Sequence, residues 1–397
     1  MKALTKISIG FLALAAAALW FTSCSSEDVA QNGGGLNEKD QRVLLLSVNT
    51  GNLGTRTTTK LTPDEKQIND MTVGIYDKSG NYRVVAKLAS DTDDKEASGS
   101  TEGHFKTNTS GVNVKVVTST LQKDDQVLVA VNRGTTAFTS KPNSPTDFTK
   151  VTMDATTALQ FKASSSTEID ATKFPKFGTA TLPAGSNSTF TAAVSVRNLV
   201  SRVTLEDLSV SFTGPYANAT FTPEEIFLLN VPDKLAFSTT GQASTSTYLN
   251  GTDIDKSGGK TGTKIAVLAT ATRGASALGS GSASYTAKPI LYTIPNSDTS
   301  NKTILVIAGK FKKDGSATEE MVYYPLALNE DYSSDPAGAA ADGGTKSQTL
   351  AGKNYKCTVV IKTIGASNPW VTTGPQTAVL TVNVEDWVDA TQTTTFE

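Results

Sequence analysis

The sequence predicts an all-β protein assembled from β-sandwiches, and three observations carry that prediction. Apolar residues recur at every second position in short runs, the spacing of a half-buried strand. Long apolar stripes at helical spacing are absent. Clusters of Gly, Pro, Asn, Ser and Thr separate the runs, as the loops of a sandwich do. A chain of 397 residues suffices for about two domains, and the boundary is expected near residue 200.

Taken in order, "VLLLSVN" (43–49) is the first strand. "MTVGIYD" (71–77) and "YRVVAKL" (82–88) form a hairpin across Lys78-Ser79-Gly80-Asn81. "VNVKVVTS" (112–119) and "QVLVAVNRG" (126–134) follow. Residues 189–212 read as strand almost throughout, with a break at Arg197-Asn198. "TPEE" reads as a single helical turn, with Thr222 as cap and Pro223 first inside it, leading into "EIFLLNV" (225–231). The later strands are "KIAVLA" (264–269), "KPILYTIP" (288–295), "KTILVIAGKF" (302–311), "EMVYYPLAL" (320–328), "NYKCTVVIKTIG" (354–365) and "AVLTVNVEDWV" (378–388). Ser/Thr/Gly-rich loops are expected at 91–111, 238–262 and 331–349.

The leader has its own logic. Lys2 and Lys6 precede a fifteen-residue apolar run, Ile7 to Phe21, and Thr22-Ser23-Cys24 follows. A membrane-spanning helix needs about 20 apolar residues, so this run reads as a secretory signal. A cysteine directly after small residues resembles a bacterial lipoprotein signal, with Cys24 as the acylated residue and residues 1–23 removed. Acyl chains anchor because each buried methylene contributes about 0.8 kcal/mol. The second cysteine, Cys357, lies in the alternating run "YKCTVVIK" and is expected to be a small buried apolar residue without a disulfide.

Composition and motifs exclude more than they include. A net charge of −2 lacks the basic footprint that nucleic acid requires. The single histidine, His104, sits in "STEGHFKTN" and is expected to be a loop residue. No HExxH, GxSxG, GxGxxG or P-loop is present. The acidic run "DTDDKE" (91–96) lacks the spacing of an EF-hand and reads as a solvated loop. Asn218-Ala219-Thr220 is a chance match in so Thr-rich a chain. No enzyme activity and no cofactor or metal are expected.

What remains distinctive is the pair of ends. In "RVLLLSVN", Leu44, Leu46 and Val48 share one face, and Val43 and Leu45 take the other. Directly behind lies "TGNLGTRTTTK", with Arg56 alone in a Thr- and Gly-rich hinge. A trypsin-like cut between Arg56 and Thr57 would release the strand together with the lipid. Arg42 precedes the strand, and a cut there opens nothing. The released strand would leave two open sheet edges, which recruit any suitable strand. At the other end Leu380, Val382 and Val384 share a face, Trp387 breaks the phase, and Val388, Ala390 and Phe396 continue in extended form.

In this order and spacing the chain resembles the fimbrillins of the Bacteroidales, the major subunits of type V pili. The resemblance rests on the leader ending in "CSSED", on "RVLLLSVNTGNLGTR" and on "MTVGIYDKSGNYRVVAKL". "QVLVAVNRG", "VRNLVSRVTLEDLSVSF" before "FTPEEIFLLNV", "LYTIPNS" and "LTVNVEDWV" complete it. It implies two transthyretin-like β-sandwich domains, at 57–200 and 201–397, behind a propeptide at 24–56. It implies export to the outer membrane as a lipoprotein, cleavage by an extracellular Arg-specific protease, and polymerisation by strand exchange into an adhesive surface fimbrium. Cys24 is then the lipidation residue, and Val43, Leu44, Leu45, Leu46 and Val48 belong to the removable strand. The donor segment is about 378–397, with Leu380, Val382, Val384, Trp387 and Val388 as donor residues. Partners are other copies of the chain, head to tail, and anchor and tip subunits. Two other roles fit the same features: a fimbrial tip or anchor subunit, and a surface glycan-binding lipoprotein with Trp370 as its candidate platform.

Overall fold

A computed structural model describes residues 41–387 except 51–57, 60, 99–101, 107–110, 187, 246, 273–274, 282–283, 286, 315, 331–339, 342–343 and 372–373. Cys24, Arg56, Thr57, Val388, Ala390 and Phe396 lie outside the described residues. The described residues fall in one compact unit. No helix among the described residues is long and apolar enough to cross a membrane.

The first half contains β1 (Arg42–Asn49), β2 (Thr58–Thr59), α1 (Pro63–Lys66), β3 (Asp70–Tyr76), β4 (Tyr82–Asp91), β5 (Ala97–Ser98), β6 (Glu102–Lys106), β7 (Gly111–Thr118) and β8 (Gln126–Val131). It continues with α2 (Pro145–Lys150), β9 (Thr152–Asp154), α3 (Ala155–Ala158), β10 (Lys176–Thr181), β11 (Thr189–Ser195) and β12 (Arg197–Asn198). One sheet runs β11-β1-β7-β5 and the other β12-β10-β8-β3-β4-β6. Alternate residues of β1, β7 and β11 meet those of β3, β4 and β8 in a shared apolar core that includes Leu46, Val114, Val73 and Val129. The β3–β4 hairpin turns where expected: Asp77 N–H donates to Asn81 O at 2.8 Å and Gly80 takes φ +85°, the region glycine favours.

The second half contains β13 (Ser201–Val210), β14 (Thr220–Leu229), β15 (Val231–Pro232), β16 (Lys234–Ala236), β17 (Tyr248–Leu249), β18 (Ala269–Ala271), β19 (Leu278–Gly279), β20 (Ile290–Thr293), β21 (Ile304–Lys312), β22 (Glu320–Ala327), β23 (Lys353–Ile361) and β24 (Ala378–Trp387). Its sheets run β2-β24-β23-β13-β20 and β18-β14-β21-β22, with β19 also on β14. Leu205, Val359 and Leu380 from the first sheet and Ile226, Ile307 and Tyr324 from the second belong to one core. That core continues through Phe174, Phe148 and Tyr76 onto the outer side of the six-stranded sheet in the first half. Apolar packing thus runs unbroken between the two sandwiches.

Three local expectations are corrected. "TPEE" is not a helical turn: Thr222 to Glu225 lie within β14, and the register slips between Pro223 and Glu225. A bulge is where an inner strand tolerates proline, which has no N–H for the ladder. "KIAVLA" is not a strand but a 3-10 turn at Ala266–Leu268 leading into β18, and Leu268 alone of that turn is fully buried. The polar stretch around His104 is not a loop but β6, paired in parallel with β4. Gly103 makes this possible, since a Cβ there would lie 2.7 Å from Lys95 O and 2.8 Å from Ala97 N.

Candidate functional site

β1 lies inside its sheet. It pairs in parallel with β11 from Val43↔Thr189 to Asn49↔Ser195, and antiparallel with β7 from Arg42↔Thr118 to Asn49↔Gly111. Leu44, Leu46 and Val48 are completely buried in the first core, while Val43 and Leu45 are half-buried on the other face. Arg42 anchors the start, its Nη1 donating to Leu121 O. Taking β1 away would leave β7 and β11 each with a bare edge and would uncover Val112, Val114 and Val116. Burial of one Leu or Val contributes about 1.5–3 kcal/mol, so three of them hold β1 firmly even without a covalent link.

At the other end the expected donor residues Leu380, Val382, Val384 and Trp387 all lie in β24. Leu380 and Val382 are buried core residues of β24, Val384 is half-buried, and Trp387 is 1% exposed. β24 pairs with β23 along its whole length, from Lys353↔Asp386 to Ile361↔Ala378. An element so placed cannot leave without opening the second core. Alternation suggests a detachable tail because a donor strand and a core strand carry the same pattern. The phase does break, with Leu380 and Val382 inward and then Glu385 and Trp387 inward.

The last residue of β24, Trp387, joins a polar cluster built on Glu65. Thr62 caps α1: Glu65 N–H donates to Thr62 Oγ1 at 3.3 Å, and Thr62 N–H donates to Glu65 Oε2 at 2.8 Å. This capping box is legible as "TPDE" in the sequence. Its glutamate is 2% exposed and serves a second purpose. Arg202 Nη2, from the start of β13, forms an ion pair with Glu65 Oε1. Tyr292 Oη of β20 donates to the same oxygen at 3.2 Å, and Trp387 Nε1 donates to Oε2 at 3.3 Å. The Arg202 guanidinium lies 4.8 Å from the centre of the Trp387 ring, a cation–π contact. Phe174 packs edge-on against both Tyr292 and Trp387, at 4.8 and 5.8 Å between ring centres.

Beside this cluster Lys176 is completely buried, with Nζ donating to Gln67 O at 3.1 Å and Phe174 O at 2.9 Å. Burial pushes its ammonium down to about 7, against the pull of Glu65 and Asp70. β2 meets β24 in the same place, Thr58 opposite Asp386 and Thr59 opposite Trp387, in parallel. The segment C-terminal to Arg56 is thus fastened to the last described residues of the C-terminal strand. Two segments far apart in the sequence are neighbours.

Trp370 is half-buried; its Nε1 donates to Ile254 O at 2.8 Å and the Lys256 ammonium stands 5.5 Å from its ring, so it is not an open aromatic platform. Cys357 is buried in the second core as a free thiol, and burial pushes its pKa up.

No family model matches the chain, and no curated protein matches it. Solved structures do. A protein assigned to cell adhesion from Parabacteroides distasonis superposes with TM-score 0.61 at 12% identity, over 88% of this chain and 98% of that one. One from Bacteroides eggerthii gives 0.57 at 18% identity, over 88% and 97%. A fimbrilin from Porphyromonas gingivalis gives 0.56 at 17% identity, over 88% and 99%. The chain has the all-β fold of these fimbrilin and cell-adhesion structures over nearly its whole described length.

Proposed function

We propose that the chain is a structural subunit of a cell-surface fimbrium, made as a lipidated precursor and activated by proteolysis. The observation that carries this reading is the place of β1: an apolar strand paired on both sides, joined to β2 through the hinge that holds Arg56. Cys24 anchors the precursor to the outer membrane. An Arg-specific extracellular protease cuts between Arg56 and Thr57, and β1 leaves with the lipid. A strand of the next subunit then refills the slot, pairing with β7 and β11 as in strand complementation. Since β24 belongs to the second core, the donor in this reading is the segment after Trp387, with Val388, Ala390 and Phe396 alternating along it. A contact that runs head to tail without closing makes a filament.

Arg56→Ala tests the reading. The variant precursor is expected to reach the surface at the normal level, keep its lipid and form no filaments visible by electron microscopy. Normal filaments from Arg56→Ala would overturn cleavage at this arginine as the trigger.

A further inference from the structure

β4 ends at Asp91, and the chain then doubles back so that Lys95 pairs with His104 on the free side of β6 (Lys95 N–H to His104 O 3.1 Å, His104 N–H to Lys95 O 2.8 Å). The backbone of His104 is therefore held from both sides, by β4 and by this return. Lys106 N–H donates to Asp94 Oδ1 at 2.8 Å and fixes the crossing loop. Thr92 N–H and Oγ1 hold Asp91 Oδ1, at 2.7 and 3.3 Å. Asp91 Oδ2 is left facing the imidazole, 3.2 Å from His104 Nδ1, and Asp93 Oδ1 lies 3.7 Å from the same nitrogen. Nδ1 is shut off from solvent and meets no hydrogen-bond partner. One ligand atom from each residue lies within 4.8 Å of both others.

The two separations at the imidazole are of the size found between ligands around one ion. Donors about 2.0–2.2 Å from a tetrahedral zinc lie about 3.4 Å from one another, and 3.2 and 3.7 Å bracket that value. An imidazole nitrogen beside two carboxylates selects a borderline transition ion over calcium, which takes six or more oxygens. We infer that Asp91, Asp93 and His104 form a surface site for a divalent ion of the zinc class, which staples the end of β4 to the edge strand β6. Three protein ligands leave a fourth position for water. The inference is independent of the fimbrial reading and goes beyond it.

Isothermal titration of the chelator-treated full-length precursor with zinc chloride tests it, with cobalt(II) absorption as the coordination signature. The expected result is one equivalent of zinc bound, a rise in the thermal midpoint, and no competition from calcium. His104→Ala, Asp91→Asn and Asp93→Asn should each weaken binding by about tenfold or more. Asp93 is exposed, so its variant folds and keeps the test valid. No zinc binding by the wild type, or wild-type affinity in the His104 and Asp93 variants, would overturn the site.

Discussion

Glu65 shows how one residue can hold several levels of the structure together. It closes the capping box of α1 and also receives Arg202, Tyr292 and Trp387. Breaking a buried ion pair from one side strands the other charge, at a cost of about 3–5 kcal/mol. Glu65→Ala is therefore expected to lower stability by about that amount in urea unfolding, and the double variant with Arg202→Ala by less than the sum of the two. Lys176 adds a pH dependence whose sign is fixed. Its pKa is about 7 folded and 10.5 unfolded, so between these values the unfolded chain binds the extra proton. Stability then rises with pH from about 7 to 9, by at most about 1.4 kcal/mol per unit. Above the ordinary thiol value of 9.0 the buried Cys357 opposes this, because the unfolded thiol ionises first. Unfolding curves at three pH values between 7 and 9 should show the rise in the wild type and a flatter profile in Lys176→Met.

Among the elements, the proposed function separates β24, a core strand, from a donor segment after Trp387. A chain ending at Trp387 is expected to keep its melting temperature as a precursor and to form no filaments after trypsin treatment. Leu380→Asp places an unpaired carboxylate at a fully buried position, costing several kcal/mol, and should unfold the second sandwich before any filament is at issue. Circular dichroism melts separate the two outcomes. Only part of this division is legible in the sequence. Period-two runs announce β1, β3, β4, β7, β8, β13, β21, β22, β23 and β24, because each buries one face and alternation records that. They do not distinguish a strand proposed to detach from one that stays: Leu44 and Leu380 carry the same pattern and are equally buried. "TPEE" misleads because proline and a preceding threonine suit a helix start and a bulge alike. The cap around Thr62 is legible in principle, whereas Arg202, Tyr292 and Trp387 come together only through long-range packing. His104 is unreadable for a similar reason, its carboxylate neighbours being placed by a parallel strand pair.

At the scale of the whole molecule, the proposed cleavage would leave the outcome to the contacts that survive it. The segment from Thr58 onward is fixed to β24 by the β2 pairing and by Glu65, so it stays. β1 is joined to it only through residues 50–57, and its own hold is apolar burial and two ladders. Another strand of similar pattern restores both. On the proposed function the precursor keeps both neighbours of β1 paired, and the cleaved form would be an open one completed by a strand from another copy. The most direct test is the mass of every polypeptide in purified filaments dissolved in denaturant. The expected result is one major species beginning at Thr57, with no peptide containing residues 42–49. Subunits beginning at Cys24, or the β1 peptide present in equal amount with the cleaved chain, would contradict it.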